Sequence, residues 1–380
     1  GDGWRPNSHF DVHTAFAGLS YLVTSKLKIS LEYTFMQYLA KQAGGLTDKQ
    51  FETDPRQSNR ERNWFSVNWN LGALVVDYEF SETSRLNWRS FGLYAQRDAL
   101  GNLGRIDRVD FNTKRDYLQD KFRNVGSEIR YLNNYALLKS RSTFLIGGRF
   151  YRGLTLRKQG LGTDGNTPDF YYLNPDKLEH SNYRFPSENI ALFAENIFRI
   201  TPKIAITPGL RWEYINTNAE GYYHEEYRDL AGNILFEQNV QDNRSSYRNL
   251  VLAGLGLSDK VTKDIETYIN FSQNYRSINF NDMRVVNPNS KVDPDLKDEK
   301  GYSADIGMRG NIKRILNFDI SLFYLKYNDR IGAIQKSDEL TYQIYRYRTN
   351  VSDSRNIGLE SFAELDVFRL FAGKERKLGV

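Results

Sequence analysis

The chain has 380 residues, a formal net charge of +5 and a mean hydropathy of −0.62. It contains no cysteine, which excludes disulfides and thiolate metal sites. It also has no run of about 18 apolar residues, so a bundle of membrane helices is excluded. Aromatic residues make up 14% of the chain, 25 of them tyrosine, and such amphipathic rings suit the boundary of a membrane.

Alternation of apolar and polar residues predicts strands along the whole chain. The predicted strands cover residues 7–23, 27–38, 64–80, 85–96, two within 125–158, two within 188–218, 248–258, 264–275, 299–310, 316–328 and 356–368, about thirteen in all. Short turns are predicted near residues 25, 82, 140, 202, 261 and 313. Long loops are predicted at 39–63, 97–122, 159–187, 219–246, 276–298 and up to about 352. Short turns on one rim and long loops on the other are the layout of an outer-membrane barrel.

Residues 188–218 show this pattern most clearly, as two strands joined by a very short turn. A transmembrane strand needs about 9–11 residues that alternate between lipid and lumen. The predicted lipid face of the second strand holds apolar side chains, and its predicted inner face holds small or charged ones: Ile204, Ile206, Leu210 and Trp212 outside, Thr207, Arg211 and Glu213 inside. We therefore predict an all-β fold, an antiparallel transmembrane β-barrel, with Arg211 and Glu213 paired to neighbours inside it.

The predicted strand number is odd, whereas bacterial single-chain barrels have an even number. An open sheet would leave unpaired backbone groups in lipid at both edges, at several kcal/mol each. We therefore expect residues 1–380 to form part of a barrel domain whose remaining strands are not in this chain.

Several segments resemble the TonB-dependent outer-membrane receptors. They are ENIALFAENIFRITPKIAITPGLRWEY in the hairpin, VDPDLKDEKGYSADIGMRGNI at 292–312, LNFDISLFYLKYNDRIGAI at 316–334 and SRNIGLES at 354–361. The segments GWRPNSHF, QAGGLTDKQFETDPRQSNRERNWF and ALGNLGRIDR resemble the ferric citrate branch of that family. Asp298 stands where the family usually has proline, a departure that we expect to matter little.

The resemblance implies a 22-stranded barrel preceded by a globular plug. About nine strands, the plug and the segment that contacts the TonB energy-coupling complex are expected on a stretch of chain outside residues 1–380. It further implies import of an iron chelate across the bacterial outer membrane, with lipids and lipopolysaccharide around the barrel.

Arginine and amide side chains crowd the first two long loops. A guanidinium meets two carboxylate oxygens at once, which suits a polyanion such as ferric citrate. The candidate ligand-binding residues are Arg56, Gln57, Asn59, Arg60, Arg62, Arg105 and Arg108. Two other interpretations stay open. These charges could simply be solvated on the loop surface, or they could bind lipopolysaccharide phosphates.

Other motifs are weaker. His9 and His13 lie about 13 Å apart on one strand face, too far to share a metal ion. The acidic residues near Asp293 lack the glycine and spacing of a calcium loop. No nucleophile elbow or Ser/His/Asp set occurs, and the aromatic alternation fits lipid better than nucleic acid. No catalytic residue, metal ligand or cofactor is predicted.

Three hypotheses therefore remain. The first is energised import of an iron chelate, ferric citrate above all. The second is import of another siderophore, cobalamin or a glycan. The third is a passive porin, adhesin or structural barrel. A soluble enzyme would need a catalytic set that the sequence does not offer.

Overall fold

The computed structural model describes residues 3–104, 106–107, 109–137, 140–228, 233–283, 290–337 and 344–372. Within these residues a single sheet holds fourteen strands. The strands are β1 Phe10–Thr24, β2 Leu27–Lys41, β3 Trp64–Glu79, β4 Ser84–Gly101, β5 Asp116–Leu137, β6 Ser140–Leu161, β7 Ser181–Arg199, β8 Ile204–Arg228, β9 Ile234–Asp259, β10 Ile265–Arg276, β11 Ser290–Val292, β12 Glu299–Ile312, β13 Leu316–Ser337 and β14 Ile344–Leu365. Three short helices are α1 Asp48–Thr53, α2 Phe280–Met283 and α3 Val367–Ala372.

Strand order in the sheet follows chain order, apart from the three-residue β11, which pairs in parallel with β14 beyond the end of the series. All the other pairs are antiparallel, as in β1 with β2 and β13 with β14. The thirteen predicted strands are therefore confirmed, and the all-β class with them. No helix among the described residues is long and apolar enough to cross a membrane.

The connections confirm the predicted arrangement of the rims. In a sheet where successive strands are antiparallel neighbours, every second connection lies on the same side. The short turns at 25–26, 80–83, 200–203, 260–264 and 313–315 therefore share one rim. Neighbouring hairpins are hydrogen-bonded at this rim. The Glu79 amide donates to the Lys26 carbonyl at 2.8 Å, and the Lys260 amide donates to the Lys203 carbonyl at 3.0 Å.

Several predicted boundaries at the opposite rim are wrong. Strands β8 and β9 continue through most of the predicted loop 219–246, and β14 begins at Ile344 although a loop was predicted to about 352. At the rim with the short turns, β14 ends at Leu365 beside the turn 313–315, and Val367 begins α3 where the last strand was expected to continue. The physical reason is that strand ends beyond the bilayer need no lipid face. Their alternation is therefore lost while the backbone ladder continues.

The predicted faces of β8 are confirmed. Leu210 and Trp212 are 60% and 37% exposed on the outer side. On the inner side Arg211 forms an ion pair with Glu213, and Glu213 Oε2 accepts a hydrogen bond from Asn189 Nδ2 at 3.2 Å. The inner face is concave, because one cavity of about 620 Å³ is lined by residues from β3 to β8 and by α2.

A small hydrophobic core lies on that inner face, near the rim with the long loops. Tyr183 and Phe185 on β7 pack with Ala219 on β8, and Ile278 and Met283 cover them. The segment around α2 therefore folds back into the concave side of the sheet rather than extending into solvent.

Candidate ligand site

The first long loop, residues 42–63, begins with a close approach of its own backbone. Gly44 has a φ of +75°, and a Cβ atom there would lie 2.5 Å from Cγ of Arg60. Glycine at this position lets the Arg60 side chain lie under the loop. Helix α1 follows, closed by a capping box in which the side chain of Thr47 accepts from the amide of Gln50 and that of Gln50 accepts from the amide of Thr47.

Arg60 and Arg62 are only 3% and 6% exposed. The Arg62 guanidinium forms an ion pair with Asp110 and donates to the carbonyls of Thr113 at 3.0 Å and Asp164 at 2.7 Å. Burial disfavours the charged form of Asp110, but the hydrogen bonds from Arg62 and from the Asn112 amide outweigh it and lower the pKa of Asp110. The structure thus uses Arg62 to join three loops.

Arg115 makes the second set of bonds between the same loops. Its side chain is 1% exposed and donates to the carbonyls of Thr163 at 3.0 Å, Thr167 at 2.7 Å and Arg62 at 3.3 Å. Desolvation by burial lowers the pKa of Arg115. We call Arg62, Asp110, Arg115 and the backbone of residues 163–167 the loop clamp, because together they hold loops 42–63, 102–115 and 162–180 in one arrangement.

The other predicted ligand residues differ in exposure. Arg56 is exposed, with its guanidinium 5.8 Å from the ring centroid of Trp4 and its Nε donating to the Trp4 carbonyl at 3.2 Å. The Gln57 amide donates to backbone carbonyls of its own loop, and Asn59 is half-buried. Arg105 and Arg108 lie outside the described residues. Among the five candidates that the structure describes, Arg56 has the accessible cationic group.

The inner wall holds charges that sequence reasoning did not select. Arg89, Glu128 and Arg149 lie opposite one another on β4, β5 and β6. Arg149 lines the cavity of about 620 Å³ together with Arg211, and among the described residues no carboxylate lies within ion-pair distance of it. Strand alternation was the signal that could have found this row.

Asp298, whose departure from the family pattern was expected to matter little, accepts hydrogen bonds from three separate parts of the chain. It accepts from Arg248 Nε at 2.9 Å, from the Ile278 amide at 2.7 Å and from the Tyr275 hydroxyl. Burial disfavours its charged form, but the hydrogen bond from Arg248 contributes most to lowering the pKa of Asp298. This one carboxylate connects β9, β10 and the segment that leads into α2.

The fold is that of solved outer-membrane receptors. The chain is similar to the ferric citrate transporter FecA in its unliganded form, with 17% identity and a TM-score of 0.75 over 97% of this chain and 50% of FecA. It is also similar to the ferric-catecholate import receptor Fiu of E. coli K12, with 12% identity and a TM-score of 0.71 over 96% of this chain and 57% of Fiu. The hemophore receptor HasR of Serratia marcescens shares 11% identity, with a TM-score of 0.70 over 97% of this chain and 55% of HasR.

The sequence model of the TonB dependent receptor-like β-barrel matches residues 7–373. The chain therefore belongs to this family, whose members are receptors of the bacterial outer membrane rather than enzymes. It spans about half the length of the first two solved structures named above. No curated protein matches the sequence.

Proposed function

We propose that this chain forms part of the barrel of a receptor that imports an anionic iron chelate, ferric citrate, across the outer membrane. Family membership and the shared fold support the receptor class. The choice of an anionic ligand depends on one observation above all, the exposed guanidinium of Arg56 on a loop rich in arginine and amide groups.

The loop clamp suggests how the site is built. Arg62 and Arg115 are buried, so their role is to fix the loops and not to touch the ligand. Because Arg62 bonds Asp110, the clamp brings the loop that carries Arg105 and Arg108 next to the loop that carries Arg56. In this proposal Arg56, Arg105 and Arg108 contact the chelate. Gln57 and Asn59 shape the loop next to Arg56, and the buried Arg60 and Arg62 hold the loops in place.

Energised import needs parts that this proposal places elsewhere in the receptor. A plug inside the barrel would close the pore and pass on the action of TonB, and the inner-wall charges around Arg149 would face it. Further barrel strands would pair with β1 and with the stretch of β14 beyond its three-residue pairing with β11, so that no edge remains bare in lipid.

The test is calorimetric titration of ferric citrate into the full-length receptor and its variants in detergent. Charge-assisted hydrogen bonds contribute about 1.5–3 kcal/mol each, so Arg56→Ala should weaken binding by roughly 10- to 100-fold. The double variant Arg105→Ala/Arg108→Ala should weaken it further. Arg314→Ala is the matched control, because Arg314 is exposed on the rim with the short turns.

Equal affinity in wild type and in both loop variants would indicate that these arginines are solvated surface charges and not ligand contacts. Binding of another siderophore, cobalamin or a glycan in place of ferric citrate would favour the second class of ligand. Ligand uptake that continues without TonB would indicate a passive barrel.

A further inference from the structure

The hairpin of β8 and β9 projects beyond its neighbours at the rim with the long loops. Strand β7 pairs with β8 only as far as Ser181 opposite Tyr223, and β10 pairs with β9 no further along than Gly254. Residues 224–228 therefore pair with residues 234–239 alone in the described ladders. The His224 amide donates to the His180 carbonyl at 2.7 Å, which attaches this projecting hairpin to the loop between β6 and β7.

Three metal-ligating side chains meet on one face of the projecting hairpin. His224 and Glu226 are two residues apart on β8, and Glu237 on β9 stands directly opposite Glu226. One ligand atom from each of the three lies within 4.8 Å of the others. Like charges directly opposite in an antiparallel pair destabilise the sheet. A divalent cation between the two carboxylates would be attracted to both.

The histidine is oriented for metal binding by its cross-strand neighbour. Asn239 lies opposite His224, and His224 Nδ1 donates to Asn239 Oδ1 at 3.0 Å. With Nδ1 as the donor to Asn239, Nε2 is the ring atom available to a metal ion, and it lies 3.8 Å from Glu237 Oε2. A hydrogen bond that fixes the tautomer and ring orientation of a histidine is the usual outer-shell partner of a metal ligand.

The three side chains also line a cavity of about 920 Å³ between the hairpin and the loop between β6 and β7. His180 lines the same cavity. Its buried Nε2 atom lies 3.2 Å from Asp116 Oδ1 but makes no hydrogen bond within the part of the chain that the structure describes. The cavity is large enough to admit a hydrated ion and to leave water molecules on it after the protein ligands have bound.

We propose that His224, Glu226 and Glu237 bind a divalent transition-metal ion of the Zn²⁺ class, with water completing the coordination. An imidazole nitrogen with carboxylate oxygens suits such an ion, whereas Ca²⁺ and Mg²⁺ prefer oxygen ligands throughout. The ion would join the two strands of the projecting hairpin and so fix one wall of the cavity. This site shares no residue with the proposed chelate site and does not depend on it.

The experiment uses the full-length receptor in detergent, freed of metal by a chelator and of any histidine tag, titrated with ZnCl2 alone in a calorimeter. We expect one saturable site. His224→Ala and Glu237→Gln should each weaken it at least about tenfold, and Asn239→Ala should weaken it by about 10- to 100-fold through loss of the orienting bond. Glu225→Gln should leave it unchanged, because Glu225 lies between two ligands in sequence but on the opposite strand face.

Circular dichroism of each variant checks that the sheet is retained. The proposal fails if wild type shows no saturable Zn²⁺ binding below about 1 mM. It also fails if His224→Ala or Glu237→Gln binds as tightly as wild type, or if MgCl2 binds as tightly as ZnCl2. A Glu225→Gln variant that loses binding as completely as His224→Ala would assign the effect to general charge, and would likewise overturn the site.

Discussion

Two arginines six residues apart in one loop have opposite roles. Arg56 presents its guanidinium to solvent, while Arg62 is enclosed by groups from two other loops. Both looked alike in sequence, because the partner that encloses Arg62 is Asp110, 48 residues away. Local composition could therefore predict that the loop is basic, but it could not predict which arginine faces a ligand.

The ion pair of Arg62 and Asp110 should make the loop clamp sensitive to acid. Folding lowers the pKa of Asp110 from its ordinary 3.8. The stability that the charged carboxylate gives to the loop clamp is therefore fully present above pH 3.8. It is lost as the pH falls through the lower pKa of the folded state. We expect loop 102–115 of wild type to resist pepsin better than that of Asp110→Asn at about pH 4.5, and this difference to shrink as the pH is lowered below 3.8 toward about 2.

Glu61→Gln controls for a general charge effect, since Glu61 is exposed in the first loop. Its cleavage should match that of wild type at both pH values. If Asp110→Asn were as resistant as wild type at the higher pH, the clamp would not depend on this carboxylate.

Strands and loops differed in how well they could be predicted. Inside the bilayer one face of a strand must be apolar, so the hairpin of β7 and β8 was recognisable from its alternation alone. Beyond the bilayer both faces contact water or other loops, and the continuation of β8 to Arg228 left no period of two to detect. The same reasoning explains the early start of β14 and the short helices, whose formation depends on caps and on contacts distant in sequence.

The outer face of β8 offers a direct measurement of the register. Leu210 lies near the middle of the membrane-spanning part of the strand, and Leu210→Arg should lower the unfolding free energy by about 2–4 kcal/mol because it places a charge in lipid. Thr207→Arg, on the inner face, should cost clearly less. Urea unfolding in phospholipid vesicles measures both, and equal losses would contradict the assignment of the two faces.

The whole sheet has two unlike rims, and their orientation follows from the family. Receptors of this class face the outside with their long loops. We therefore predict that residues at the rim with the long loops are accessible from outside the cell and that residues at the rim with the short turns are not.

The absence of cysteine makes that access measurable. In a receptor otherwise free of cysteine, Lys49→Cys in α1 should react with a membrane-impermeant maleimide on intact cells. Lys203→Cys, in the short turn between β7 and β8, should react only after the outer membrane is permeabilised. Labelling of Lys203→Cys on intact cells would reverse the orientation.

The agreement between strand order and chain order also has a consequence for how the sheet assembles. Each long strand from β2 to β14 pairs with the long strand that precedes it in the chain, and only the short β11 is passed over. A chain that enters the membrane from one end therefore always finds its next partner already in place. Closing a connection between consecutive strands costs little chain entropy, because this cost rises only slowly with loop length, and unpaired backbone remains only at the two edges of the growing sheet. Assembly can thus proceed by repeating one local step, with no need to bring together distant parts of the polypeptide.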